Sequence, residues 1–106
     1  MFIAINYISC REEYRERFEM LFATRTGAID TMPGFKYMYV LKPDDITGEY
    51  LIISHWDSEE NFRNWTNSSS FLEGHRRGFA DVSEAKKAGK EPPMKSTFKT
   101  YTVIAE

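Results

Sequence analysis

The chain predicts an α+β fold of the ferredoxin-like kind, β-α-β-β-α-β, with a four-stranded antiparallel sheet and helices on one face. Three observations predict it. Four short segments are rich in β-branched and aromatic residues, and stretches with helical periodicity or helix-capping residues lie between them. The two middle strand segments are joined by about six turn-forming residues, as in an antiparallel hairpin. The 106 residues fit one domain, so 1–106 reads as a single unit.

Each element has a local reason. Residues 2–8 (FIAINYI) carry apolar side chains on both faces of a strand. Ser9 and Glu12 have the spacing of a capping box. Tyr14, Phe18, Leu21 and Phe22 then recur at i, i+4, i+7 and i+8 against a charged opposite side, which predicts a helix over 11–25. Gly27 offers a stop, and Met32-Pro33-Gly34 a turn into a second strand at 35–42. A third strand follows at 49–56. Asp57 or Ser58 caps a second helix with Phe62 and Trp65 on its buried side, and Asn67-Ser68-Ser69-Ser70 interrupts it before a segment from Phe71 to about Arg77. Residues 81–96 hold almost nothing large and apolar and read as a long mobile loop. The fourth strand is 97–104.

Two helices cover only one face of such a sheet, yet Ile3, Ile5 and Tyr7 oppose Phe2, Ala4 and Ile8 along the first strand. The uncovered face needs a partner, and a second copy of the same sheet is the simplest. A homodimer through the open sheet face is therefore expected.

Composition excludes several classes. Fourteen Lys+Arg against sixteen Asp+Glu, net −2, argues against a nucleic-acid partner. The longest apolar runs, such as Tyr37 to Leu41, are far short of the twenty or so residues of a membrane span, so no membrane partner is expected. One cysteine, Cys10, excludes an internal disulfide and a Cys-built metal site. The first residues lack a secretory signal pattern, and a cytoplasmic location is the expectation. No Gly-x-Gly-x-x-Gly or P-loop is present, and the helix-1 acids interleave with Arg as on a solvated face.

Three residues ask for more. Asn is depleted in strands, yet Asn6 lies between Ile5 and Tyr7. It is either an Asn bonding backbone at a strand end or bulge, or an amide placed to hydrogen-bond a ligand. His75 follows Phe71 at i+4 beside Arg76 and Arg77: a surface residue, or a metal or haem ligand with guanidinium groups suited to carboxylates. Trp65 lies one turn after Phe62 and is core unless its indole N–H answers a polar pocket.

Together, Asn6, Trp65 and His75 resemble the catalytic triad of the IsdG-type haem-degrading monooxygenases, of the antibiotic-biosynthesis-monooxygenase (ABM) superfamily of dimeric α+β barrel proteins. The likeness extends to Phe22-Ala23-Thr24-Arg25-Thr26-Gly27, to Pro33-Gly34-Phe35 and to Trp56. The resemblance implies that His75 is the proximal ligand of haem iron, leaving the opposite side open to O2. It implies that Asn6 hydrogen-bonds the oxygen ligand and that Trp65 presses on and distorts the porphyrin. Phe22 and Arg25 lie near the haem by the same analogy, and Arg25, Arg76 or Arg77 meets its propionates. Haem is then both substrate and cofactor, O2 and an external reductant (an electron-donating reductase) are consumed, and iron and a linear tetrapyrrole are released. Two other readings share the fold: a cofactor-free ABM monooxygenase of aromatic quinols or polyketides, and a dimer that binds haem or another small ligand without turnover.

Overall fold

In the computed structural model, which describes residues 1–25 and 27–106, the first strand lies inside the sheet rather than at its edge. The elements run β1 (Phe2–Cys10), α1 (Arg15–Ala23), β2 (Phe35–Leu41), β3 (Tyr50–Trp56), α2 (Glu59–Thr66), α3 (Ser69–Lys87) and β4 (Met94–Thr102). The sheet order is β2-β3-β1-β4, all antiparallel. This is the expected ferredoxin-like arrangement, with the helices packed on one face. Thr26, part of the Phe22–Gly27 stretch, lies outside the described residues.

Several boundaries differ from expectation. Ser9 caps no helix: β1 runs on to Cys10, with Ser9 opposite Lys95 and Cys10 opposite Met94. The chain then takes a 3-10 turn at Glu12–Tyr14 before α1 begins at Arg15. The same pairing starts β4 at Met94, three residues earlier than its composition indicates, and β4 ends at Thr102.

The largest departure is α3. Residues 81–87 are helix, so the expected long loop shrinks to a short connection before β4. Phe71, His75, Gly78, Val82 and Ala85 share one half-buried stripe at 4-3-4-3 spacing, which carries the helix past Arg77. Its end is chemically marked. Lys86 and Lys87 sit in the last turn, Gly89 takes φ +71°, and the Lys90 N–H donates to the Ala85 carbonyl at 2.9 Å. Ser58 and Ser68 cap α2 and α3, each accepting a backbone N–H, from Asn61 and Phe71 respectively.

The core is divided. One buried cluster joins Phe2, Ala4, Ile29, Trp56, Phe62 and Trp65; the other joins Ile8, Phe18 and Tyr50. Trp56 is fully buried in the first cluster, its indole N–H donating to Ser54 Oγ at 2.9 Å, which also satisfies that buried hydroxyl. Gly34, at φ +79°, turns the chain into β2 against Asn61, where any side chain would collide. The other sheet face carries Ile3, Ile5, Leu51 and Ile53 half-buried, with Tyr37, Tyr39, Leu41 and Tyr101 exposed. Among the described residues no helix is long and apolar enough to cross a membrane.

Candidate active site

Along the helix-facing side of β1, Phe2 and Ala4 belong to one core cluster and Ile8 to the other. Asn6 stands between them. There the core gives way to a cavity of about 960 Å³, walled by the sheet on one side and by α1, α2 and α3 on the other. That is the upper end of the usual range for a small-molecule site. Asn6, Phe22, Arg25, Trp65 and His75 all line it. Arg76 does not: its guanidinium bonds Glu73 on the exposed side of α3, away from the cavity.

Asn6 is neither at a strand end nor at a bulge. It pairs in register with Ile52 and Phe98, so its place in the strand is regular and its oddity is chemical. Its Oδ1 is buried and has no hydrogen-bond partner. A sealed, unpaired amide oxygen is costly, and a half-turn of the amide exchanges it with the donor NH2. A ligand that hydrogen-bonds this amide offsets the cost.

His75 is half-buried in a row of rings. Trp65 meets Phe71 edge-on at 5.5 Å, Phe71 lies 4.1 Å from the imidazole, and Phe79 stacks on its other side at 5.6 Å. Nδ1 lies 2.7 Å from the Phe71 carbonyl oxygen. That oxygen only accepts, so Nδ1 carries the proton and, in the neutral ring, the lone pair is on Nε2. A histidine held this way is prepared as a metal ligand, because the backbone bond fixes both tautomer and ring direction.

The charge of the wall is one-sided. Arg25, Arg63, Arg77 and Lys86 line the cavity, and among the described residues no carboxylate does. Three of the four already have partners. Arg25 pairs with Asp30 at 3.4 Å, Arg63 with Glu59 at 3.2 Å, and Arg77 bonds the end of α1. Lys86 makes no ion pair among the described residues. Apolar, aromatic-rich walls and four cationic side chains suit a flat ligand that carries negative charge.

Sequence reasoning missed Arg63, Ser83, Lys86 and Phe98 as wall residues. Lys86 follows His75 by eleven residues, three helical turns, and so shares its face. That signal existed, but it requires α3 to continue past Arg77. Phe98 is expected in the sheet; its stack on Phe62 at 5.5 Å puts it at the cavity edge as well.

A ferredoxin-like domain with a cavity between sheet and helices, lined by Asn, Trp and His, defines a class of small-molecule binding domain. The family profile of the antibiotic biosynthesis monooxygenases matches residues 1–77, and the chain belongs to that family. It is 32% identical over 78 residues to a heme oxygenase (staphylobilin-producing) of Staphylococcus epidermidis, covering 72% of this chain and 74% of the relative. Among solved structures it is similar to the heme-degrader MhuD from Mycobacterium tuberculosis with two hemes bound in its active site. That likeness has a TM-score of 0.71 at 24% identity and covers 100% of this chain and 98% of the other. SnoaB, a cofactor-independent oxygenase from Streptomyces nogalater, is similar with TM-score 0.69 at 20% identity over 99% and 94% of the two chains. At these identities the structural likenesses show the fold.

Proposed function

We propose that this protein is a haem-degrading monooxygenase in which haem is the substrate and His75 its proximal ligand. The observation that carries the reading is the pairing of two prepared groups in one cavity. His75 has Nδ1 committed to the Phe71 carbonyl and Nε2 free, and Asn6 has a buried, unpartnered amide oxygen. The residues present fit haem: an imidazole ligand, aromatic walls for a macrocycle, and a cationic rim for two propionates. The name of the Staphylococcus relative supports the same reading.

When bound, haem supplies the redox chemistry, with O2 and electrons from a reductase. The rest belongs to the chain. His75 Nε2 would hold the iron and so position the macrocycle. Asn6 hydrogen-bonds from the sheet side. The Trp65 ring would lie against the macrocycle, held by Phe71 and the buried cluster behind it. Phe22 closes the wall at the end of α1 and excludes water. Arg25, Arg63 and Lys86 are the propionate partners; Arg76 is not in the set, and Arg77 is occupied by α1. The reading includes a homodimer through the open sheet face and a cytoplasmic setting. The half-buried apolar and exposed tyrosine residues of that face support the dimer, and Ile53→Glu at its centre is expected to give a monomer in sedimentation velocity.

The test is a titration with ferric haem, followed by reductant in air. A sharpened Soret band that then decays is expected. No Soret shift at micromolar haem overturns the reading. The shared fold of SnoaB keeps a cofactor-free oxygenase as the second reading; oxygen uptake with a quinol in haem-free protein selects it. A Soret band that survives reductant and O2 selects a non-catalytic haem binder.

A further inference from the structure

The helix that carries His75 has an unusual support. None of the 19 residues of α3 is fully buried: past Phe71, which packs on the first core cluster, the half-buried residues His75, Gly78 and Val82 face the cavity. Gly74 and Gly78 flank His75, and glycine inside a helix weakens it. Apolar burial therefore does little to fix how α3 is rotated over the cavity.

Polar bonds to α1 and the 3-10 turn before it do that instead. Arg77 donates to the Thr24 hydroxyl at 2.8 Å and to the carbonyls of Leu21 and Thr24 at 3.0 and 3.2 Å, at the C-terminal end of α1. One turn further along the same flank, Asp81 Oδ2 accepts the Tyr14 hydroxyl at 2.5 Å and Arg17 Nε at 3.0 Å. Tyr14 packs against the second core cluster, so the bond reaches solid ground. The two attachments hold α3 at both ends of α1. Such a pair resists rotation as well as sliding.

We propose that Asp81, acting with Tyr14 and Arg17, is a positioning residue for His75: the clasp sets the rotation of α3 and hence the direction of the imidazole Nε2 into the cavity. The two residues are about 9 Å apart along one helix. Asp81 touches no substrate; it acts by holding the helix. The functional part of this rests on His75 being the haem ligand.

The test has two arms. In the haem-free protein, Asp81→Asn and Tyr14→Phe are expected to speed hydrogen exchange of the α3 amides about tenfold while the sheet amides stay as they were. Glu84→Gln, on the same helix but outside the clasp, is expected to change neither. In the ferric haem complex, Asp81→Asn is expected to shift the Soret and ligand-field bands and to weaken binding about fivefold or more, and Asp81→Glu to restore both in large part. Unchanged α3 exchange in Asp81→Asn overturns the clasp. A loosened α3 with the wild-type haem spectrum and affinity overturns the positioning role.

If the wild type binds no haem through an imidazole, the functional reading fails separately. The ligand-free ring then decides the clasp: displaced 15N shifts of His75 in Asp81→Asn support it, and unmoved ones overturn it. Should Asp81→Asn fail to fold, Tyr14→Phe, which removes a single hydroxyl, carries the same comparisons.

Discussion

The helices α2 and α3 belong to one layer over one sheet, yet they are held by different physics. The eight residues of α2 bury two aromatics, Phe62 and Trp65, against Phe2 and Trp56. The nineteen residues of α3 bury none and face a cavity. A short helix with two buried rings is secured by packing, each ring being worth several kcal/mol. A long helix over a cavity gives up that packing and is secured by capping and by bonds from Arg77, Tyr14 and Arg17. The difference sorts the two helices by how they are held: α2 is fixed by its packing on the core, and α3, which carries the proposed haem ligand His75, is fixed by polar bonds.

That contrast can be broken at several points. The largest effect is expected for Phe62→Ala, because Phe62 packs on Phe2, Trp56 and Phe98 at ring separations of 5.5 to 5.8 Å. A loss of about 3–5 kcal/mol is expected by urea denaturation. The corresponding truncation on α3, Phe79→Ala, removes a ring that is 52% exposed and is expected to cost no more than about 0.5 kcal/mol. A similar cost at the two sites ends the contrast.

Acid is a milder probe. Burial pushes the Asp81 carboxyl upward, but the hydrogen bonds from Arg17 and Tyr14 outweigh it and hold the group below its ordinary value. Tyr14 is pushed well above the usual phenol range, by burial first and then by the bond to Asp81. The stabilisation from Asp81 is therefore fully present above its unfolded pKa of about 3.9 and is lost as pH falls through the lower folded value. Tyr14's is present below about pH 10 and is lost above it. Protection of α3 against hydrogen exchange, corrected for intrinsic rates, is accordingly expected to be flat from about pH 5 to 9 and to fall below about pH 4. A clasp that weakens between pH 6 and 8 contradicts this assignment.

The same contrast explains what could be read from sequence. Phe62 and Trp65 at i+3 after a capping serine mark α2 plainly, because a helix that packs on a core writes a strong apolar stripe. The second half of α3 writes a weak one. Beyond Phe79 its cavity-lining positions are Val82, Ser83 and Lys86, small or charged residues that suit a cavity wall and look like a loop by composition. The stop signal was present in Lys86-Lys87-Ala88-Gly89, but it terminates a stripe too faint to announce itself. Likewise Ser9 and Glu12 have capping-box spacing, and the pairing of Ser9 with Lys95 overrides it, since ladder bonds along β1 outweigh one local cap. Asn6 could be singled out because it is a poor fit to a strand, and Trp65 and His75 because the family resemblance joins them to it. Their convergence on one cavity is a property of the fold, and local pattern does not contain it.

In the proposed function His75 serves the ligand and not the fold. This is tested most directly by measuring His75→Ala twice on one preparation, by urea denaturation and by ferric haem titration. An unfolding free energy within about 1 kcal/mol of wild type is expected, together with loss of the imidazole-ligated Soret spectrum. A variant that unfolds several kcal/mol more easily, or one that binds haem with the wild-type spectrum, contradicts it.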